Sequence, residues 1–374
     1  MRIFLCGDVM LGRGVDQILP HPCGPELYES YVESAVDYVR LAEHVNGPIP
    51  RNVDFSYVWG AALEELAHRR PDARVINLET SITRNAAYEP KGINYRVSPE
   101  NAACLATAGI GCCVLANNHV RDWGPDGLLE TLATLQHLSI KNAGAGPNLA
   151  EASVPAVLEI PSQGRVLVFA FASTTSGVPR HWAARNDCAG VNLLADLSST
   201  TANNIAAQIN RVRQPHDIVI ASVHWGPNWG YEVPDEQRRF AHRLIEAGNV
   251  SIVHGHSSHH AKAIEVYRNR LILYGCGDFL NDYEGIRGYD QFRNDLALMY
   301  FAEIDPVDAD LRAVDLIPLQ IRRFQLTRTN EADSQWLRRT INRESEMFGI
   351  KLSESPSGSL KLSWQSYHRE TKSC

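Results

Sequence analysis

The chain has 374 residues, of which 44% are hydrophobic and 21% are charged, and its formal net charge at pH 7 is −7. This composition is typical of a globular protein and excludes a collagen, a coiled coil or a disordered chain. The negative charge argues against a nucleic-acid-binding protein. No apolar stretch reaches the ~18 residues of a membrane-spanning helix, and the short apolar start does not resemble a signal peptide. We therefore expect a cytoplasmic protein with no nucleic-acid or membrane partner.

Short apolar runs alternate with segments of helical periodicity up to about residue 279. The runs are rich in Val, Ile, Leu and Phe, which predicts strands buried on both faces, at residues 3–6, 75–78, 112–116, 166–172, 218–223, 250–253 and 271–274. Helical periodicity marks residues 57–68, 99–108, 127–138, 197–213 and 235–247. This alternation predicts an α/β fold with mostly parallel strands.

The last part of the chain has a different pattern. Residues 296–304, 311–318 and 320–326 predict consecutive strands, and residues 331–346 predict a polar helix. A segment rich in Ser, Pro and Gly begins at about residue 353 and predicts a loose tail. We therefore expect one compact domain over residues 1–326, followed by a C-terminal helix and tail over residues 327–374.

Polar residues that bind metals follow five of the predicted strands. They are Asp8, Glu79, Asn118, His224 and a cluster of four histidines at 254, 256, 259 and 260. In an open α/β sheet, ligands bind outside the carboxyl ends of the strands, so these residues are expected at one edge. A single Asp could instead cap a helix, and Asn-Asn-His could form a turn. The joint occurrence favours a site for one or two ions of Mn, Fe or Zn, which accept mixed nitrogen and oxygen ligands.

Five short motifs occur in order and resemble those of the CapA family of capsule and poly-γ-glutamate synthesis proteins. They are GDVMLGR at residues 7–13, NLET at 77–80, ANNH at 116–119, HWG at 224–226 and GHSSH at 255–259. The resemblance extends from residue 1 to about 285. It implies a relationship to calcineurin-like metallophosphoesterases, and hence a four-layer α/β/β/α sandwich with a dinuclear metal site between the sheets.

The same resemblance implies roles for individual residues. Asp8 stands where a first-motif metal ligand is usual, Glu79 where a bridging carboxylate is usual, and Asn118 where an amide ligand is usual. His224 and the histidines of the Gly-His motif complete the metal site, and His119 becomes a candidate acid for the leaving group. Met10 replaces the usual first-motif histidine. The pairing of His256 remains open, with His259 favoured and His254 as the alternative.

These observations predict a metal-dependent hydrolase that attacks a phosphoester or a glutamyl or peptide amide with activated water. Its substrate is expected to be small and either anionic or glutamyl-containing. Lys91, Arg96 and Trp225 are candidate substrate-binding residues, because cationic and aromatic side chains suit such a ligand. The alternative is an accessory protein of poly-γ-glutamate or capsule biosynthesis without hydrolytic activity.

Overall fold

A computed structural model describes residues 1–365 of the chain. Its strands are β1 (Arg2–Val9), β2 (Ala73–Leu78), β3 (Ser81–Ile82), β4 (Arg96–Val97), β5 (Cys112–Val114), β6 (Lys141–Ala143), β7 (Ala145–Gly146), β8 (Ala156–Ile160), β9 (Gly164–Ala172), β10 (Gly190–Val191), β11 (Ile218–His224), β12 (Ile252–His256), β13 (Ile264–Tyr267), β14 (Arg270–Leu273), β15 (Asp278–Leu280), β16 (Leu296–Ile304), β17 (Leu311–Arg322), β18 (Gln325–Arg328), β19 (Lys351–Glu354) and β20 (Leu360–Ser363). Its α-helices are α1 (Gly14–Ile18), α2 (Ala35–Asn46), α3 (Ala61–Arg69), α4 (Ala103–Thr107), α5 (Gly124–His137), α6 (Leu149–Ser153), α7 (Ser199–Val212), α8 (Asp235–Gly248) and α9 (Glu331–Ser345).

Two large sheets make this a mixed α/β protein, as the alternating pattern predicts. The first sheet has the order β19-β20-β17-β16-β1-β2-β5-β6, with β15 paired to β1 and β18 paired to β17. Strands β1, β2, β5 and β6 run parallel, and the strands from β16 onward are antiparallel. The second sheet has the order β13-β14-β12-β11-β9-β8, with four parallel central strands and antiparallel edges. All seven predicted parallel-type strands are confirmed.

Strand β11 shows how alternating side chains are divided between two apolar clusters. Ile218 and Ile220 belong to the large apolar cluster that also contains residues of the first sheet. The alternate residues, Val219, Ala221 and Val223, belong to a second cluster with residues of α7 and α8. Because successive side chains of a strand point to opposite faces, the residues that continue the first series, at positions 222 and 224, face the first sheet.

The C-terminal region differs from the prediction in one respect. Residues 353–363 are not a loose tail, because β19 and β20 form an antiparallel pair and β20 adds to β17 of the first sheet. Leu360 and Leu362 alternate with polar residues and are buried, which is the pattern of a half-buried strand. Residues 366–374 of the predicted tail lie outside the described residues. The division of the chain at residues 326 and 327 stays a prediction.

The predicted strands 311–318 and 320–326 are in fact the single long strand β17 and the short strand β18. Within residues 1–365, no helix has both the length and the apolar character needed to cross a bilayer.

Candidate metal centre

Three carboxylates meet where β1 and β2 end and β15 begins. In the parallel pairing, Asp8 lies opposite Asn77 of β2 on one side and opposite Asp278 of β15 on the other. Glu79 follows β2 directly. All three acidic residues are at most 1% exposed. The register of the parallel strands therefore brings Asp8, Glu79 and Asp278 together, although they are distant in the sequence.

The close approach of β1 to the segment before β15 depends on a glycine. The Asp8 amide donates a hydrogen bond of 3.0 Å to the carbonyl of Gly277. A Cβ atom at Gly7 would lie 1.7 Å from that same carbonyl oxygen. Only glycine fits at position 7, which explains the Gly-Asp pair at the end of the first strand.

The imidazoles of the site come from the second sheet. Parallel pairing of β11 with β12 places Ser222 opposite His254 and His224 opposite His256. These four side chains continue the inward-facing series of the two strands, and each is fully buried. The pairing places His224 and His256, at the ends of their strands, close to Asp8 of the first sheet.

The acidic and imidazole groups form two triads that share Asp8. One triad is Asp8, His224 and His256, the other is Asp8, His259 and Asp278, and the ligand atoms within each triad lie within 4.8 Å of one another. The Nδ1 atoms of His224 and His256 are 2.7 Å apart. Nδ1 of His256 lies 4.0 Å from Asp8 Oδ1, and Nδ1 of His259 lies 2.9 Å from Asp278 Oδ1.

Two further predicted ligands border the first triad. Oδ1 of Asn118 lies 3.0 Å from Nε2 of His224. Oε1 of Glu79 lies 3.9 Å from the same nitrogen and 3.9 Å from Nε2 of His119. The structure thus brings together six of the seven predicted ligands and adds Asp278.

The negative charges of the three carboxylates in this cluster are not neutralised by a Lys or Arg among the described residues. Among the ion pairs of residues 1–365, Asp8, Glu79 and Asp278 pair only with histidines and with no Lys or Arg. Burial, reinforced by Asp278, raises the pKa of Asp8 to about 7. Burial and the neighbouring Asp8 also raise the pKa of Glu79 well above its ordinary value. Buried carboxylates without a cation are costly, so the site favours a bound cation.

The histidines supply neutral donors to complement these carboxylates. Burial lowers the pKa of His224 and of His256 well below the ordinary value, so that both rings are uncharged near pH 7. Carboxylate oxygens, an amide oxygen and neutral imidazole nitrogens together suit Mn, Fe or Zn better than Ca or Mg. The residues present therefore fit one or two transition-metal ions, which Asp8, Glu79, Asn118, Asp278 and the histidines at 224, 256 and 259 would hold.

His254 differs from the other predicted ligands. Its Nε2 lies 2.8 Å from the carbonyl oxygen of Cys6, and its Nδ1 lies 3.0 Å from Oγ of Ser222. Both ring nitrogens are therefore engaged with neutral groups, and His254 is in neither triad. Between the two alternatives for the partner of His256, the structure places His259 and not His254 beside Asp8.

His119 is held at the edge of the cluster by Asp122. Its Nδ1 lies 2.7 Å from Oδ2 of Asp122, so that Nε2 faces Glu79. Lys91 lies 2.7 Å from the other oxygen of Asp122 and donates to the carbonyl of Asn118. Burial lowers the pKa of His119 to about 4, although Asp122 opposes this shift. A neutral His119 that donates through Nδ1 leaves Nε2 free to accept a proton.

The three predicted substrate-binding residues lie in different places. Lys91, with a side chain 20% exposed, borders the cluster. Arg96 does not, because its guanidinium bonds to the carbonyls of Asn85 and Gly24 and covers the ring of Trp123.

Trp225 also lies away from the metal centre. It is 2% exposed, packs in the second apolar cluster and donates 3.0 Å to the Tyr274 carbonyl. It follows His224 by one residue, so the alternation of side chains directs it to the opposite face of the sheet. This position corrects its assignment to a substrate cleft.

Some functional residues were not identified from the sequence. Asn77 donates to Asp8 at 2.7 Å, and Asn281 donates to Asp278 at 2.7 Å. The signal for Asp278 was the repetition of the Gly-Asp pair, at residues 7–8 and again at residues 277–278. No local pattern marks Ser222, which only the strand pairing connects to the histidines.

The fold and site define an α/β protein whose strand ends assemble a buried carboxylate–imidazole centre. The family model described as "Bacterial capsule synthesis protein PGA_cap" matches residues 2–283, and the chain belongs to this family. The predicted CapA resemblance is therefore confirmed, and a relationship to the metallophosphoesterases is consistent with this result.

Named relatives extend the comparison. The chain is 46% identical over 364 residues to a "probable polyglutamine synthesis accessory protein" of Mycobacterium tuberculosis, covering 97% of this chain and 96% of that protein. It is 25% identical over 312 residues to the "PGA biosynthesis protein CapA" of Bacillus subtilis, covering 81% and 70%. It is 22% identical over 326 residues to the "capsule biosynthesis protein CapA" of Bacillus anthracis, covering 86% and 68%.

Proposed function

We propose that the protein is a metal-dependent hydrolase that acts on a small anionic substrate, either a phosphoester or a glutamyl or peptide amide. The observation that carries the proposal is the position of Asp8 in both triads. A carboxylate shared by two sets of ligands is the arrangement that a two-metal hydrolase requires. The burial of three carboxylates that have no Lys or Arg partner among residues 1–365 supports the same conclusion.

The proposed architecture is a four-layer α/β/β/α sandwich with the centre between the sheets. The large apolar cluster contains residues of both sheets together with Leu66 of α3 and Leu135 of α5. The second cluster joins the outer face of the second sheet to α7 and α8, through residues such as Ile205 and Leu244. This distribution of apolar residues supports one pair of helices on each outer face.

His119, Asp122 and Lys91 have separate roles in the proposed reaction. When bound, divalent cations in such a centre activate water at neutral pH and polarise a phosphoryl or carbonyl oxygen. Asp122 holds His119 through Nδ1, so that its Nε2 is placed to move a proton at the reacting group. Lys91 adds a positive charge next to His119, which favours an anionic substrate.

Metal analysis coupled to a hydrolysis screen tests this proposal. After chelation and reloading with Mn²⁺ or Zn²⁺, we expect about 1–2 ions per chain. The reloaded protein is then assayed on p-nitrophenyl phosphate, bis-p-nitrophenyl phosphate and γ-glutamyl-p-nitroanilide. Asp8→Asn should lose both the metal and the turnover. The matched control is His242→Gln, since His242 pairs with Glu265 outside the cluster. Less than about 0.2 ions per chain would contradict the proposal.

An accessory role without hydrolysis is the second candidate. The relative that is 46% identical is named an accessory protein of polyglutamine synthesis. In addition, Met10 occupies the position of the usual first-motif histidine and is 1% exposed, with its sulfur accepting a hydrogen bond from Tyr283 at 3.5 Å. Full metal occupancy with no turnover on any of the three substrate classes would favour this candidate. The cytoplasmic location and the absence of nucleic-acid partners stay predictions.

A further inference from the structure

A continuous line of hydrogen bonds runs from the backbone of β1 to His256. Nε2 of His254 lies 2.8 Å from the Cys6 carbonyl oxygen, and Nδ1 of the same ring lies 3.0 Å from Ser222 Oγ. Ser222 Oγ in turn lies 2.8 Å from Nε2 of His256. The four residues are fully buried. This line, Cys6–His254–Ser222–His256, is called the relay below.

The directions of the hydrogen bonds in the relay follow from its first member. The Cys6 carbonyl can only accept, so Nε2 of His254 carries the proton. His254 is fully buried and, within the described residues, its hydrogen-bond partners are neutral, so the ring is uncharged and its Nδ1 is an acceptor. The Ser222 hydroxyl therefore donates to His254, and its oxygen accepts from Nε2–H of His256.

The opposite polarity would leave two acceptors facing each other. If Ser222 donated to His256, it would have to accept from Nδ1–H of His254, and the unprotonated Nε2 of His254 would then face the Cys6 carbonyl at 2.8 Å. A buried polar group without its hydrogen bond costs about 1–3 kcal/mol. Within the relay, only the direction from His256 to the Cys6 carbonyl gives every buried donor an acceptor. At its far end, Nδ1 of His256 then accepts from Nδ1–H of His224. This leaves Nε2 of His224 and Oδ1 of Asn118 as two acceptors 3.0 Å apart, which a bound cation would satisfy.

We propose that His254 and Ser222 are positioning residues that fix His256 as the Nε2–H tautomer and so keep its Nδ1 unprotonated for a divalent transition metal. This inference rests on the proposed function in one respect, because it treats Nδ1 of His256 as the ligand atom. That nitrogen lies 2.7 Å from Nδ1 of His224 and 4.0 Å from Oδ1 of Asp8. A proton on it would point at these two groups and block the cation.

The relay also gives a role to His254, the predicted ligand that belongs to neither triad. His254 has no free nitrogen for a metal, yet it is as deeply buried as the ligands. Partners that fix the tautomer of a metal-binding histidine typically change metal affinity by about 10–100-fold when they are mutated. His254 acts on the metal through Ser222 and His256, two hydrogen bonds away.

The tautomer can be measured directly in the metal-free protein. In a ¹⁵N-histidine-labelled sample, two-bond ¹⁵N–¹H correlation spectra assigned with His256→Gln should show His256 protonated at Nε2 alone. Ser222→Ala should move a measurable fraction of His256 to the Nδ1–H form and weaken Zn²⁺ binding about 10–100-fold. Ser251→Ala is the matched control, because Ser251 is a buried serine directly before β12 whose hydroxyl accepts from the Val219 amide.

Conservative variants show whether His254 and Ser222 act through their hydrogen bonds or only by filling space. His254→Gln can donate to Cys6 through its amide nitrogen and accept from Ser222 through its oxygen, so Zn²⁺ affinity should stay within about threefold of the wild type. His254→Leu has neither group and should reproduce the weak binding of Ser222→Ala. Ser222→Thr keeps the hydroxyl and gives a second variant if Ser222→Ala does not fold.

Three results would overturn the inference. They are an Nδ1–H tautomer of His256 in the wild-type metal-free protein, unchanged Zn²⁺ affinity in Ser222→Ala, or the loss of one bound ion per chain in His254→Gln. None of these measurements uses turnover. A protein with an intact relay that hydrolyses nothing would contradict the proposed hydrolase alone, whereas an active enzyme with the wrong tautomer would contradict the relay alone.

Discussion

Replacing Asp8 by asparagine removes the carboxylate that both triads share while keeping the shape of the side chain. In the metal-free protein, burial reinforced by Asp278 raises the pKa of Asp8 from 3.8 to about 7. A shift of about 3 pH units corresponds to about 4 kcal/mol, at 1.36 kcal/mol per unit. Because the folded-state pKa is raised, this penalty is complete above pH 7 and disappears as the pH falls to the unfolded-state value.

We therefore expect metal-free Asp8→Asn at pH 8 to be more stable than the wild type by up to about 4 kcal/mol, with the pH-dependent part of the difference vanishing near pH 4. The gain is reduced by the loss of the hydrogen bond that Oδ2 of Asp8 accepts from the Ser257 amide at 3.3 Å. Urea denaturation in EDTA measures this difference. A variant less stable than the wild type at pH 8 would refute the claim that the carboxylates are buried against their own repulsion.

Added metal should reverse the order of stability. A ligand at 100 times its Kd stabilises the folded state by about 2.7 kcal/mol per site. For 374 residues, an unfolding entropy of about 0.8 kcal/mol/K converts this energy to a rise in Tm of about 3 °C per site. Asp8→Asn should show no rise, whereas Asp278→Asn and His256→Gln should each lose about half of it. Equal Tm shifts in wild type and Asp8→Asn would refute the shared ligand.

Three further predictions concern single side chains. His119→Ala should keep the bound metal and lower kcat by about 10²–10⁴-fold, and an unchanged kcat would remove His119 from the mechanism. Gly7→Ala should destabilise the protein by about 3 kcal/mol or more, because its Cβ would lie 1.7 Å from the Gly277 carbonyl; an unchanged urea midpoint would contradict this. Burial lowers the pKa of Lys262 from 10.5 to about 8, although Glu232 opposes it, so Lys262→Met should stabilise the protein by up to about 3 kcal/mol below pH 8, reduced by the loss of its hydrogen bond to the Glu232 carbonyl. That gain should shrink as the pH rises from 8 to 10.5, and a gain independent of pH would show that the charge is not its cause.

The strands and their order in the chain were predictable because buried parallel strands are nearly continuous apolar runs. The hairpin of β19 and β20 was missed because the Ser, Pro and Gly residues of its turn dominate the local composition. Trp225 shows a different limit. It adjoins His224 in the sequence, yet successive side chains of a strand point to opposite faces. Trp225 therefore lies in the apolar cluster on one face of the sheet, whereas His224 lies in the candidate metal centre on the other.

The sequence by itself determined the family, the strand ends and the polar residues that follow them, because these depend on motifs and on local hydrophobic patterns. It favoured His259 over His254 without deciding between them, since both follow the predicted strand at 250–253 and lie at similar distances from His256. Tertiary structure decides this through hydrogen bonds to distant residues. Cys6, on a strand of the other sheet, engages His254, whereas Asp278 engages His259. The role of each histidine therefore follows from the partner that the packing of two sheets brings to its nitrogens.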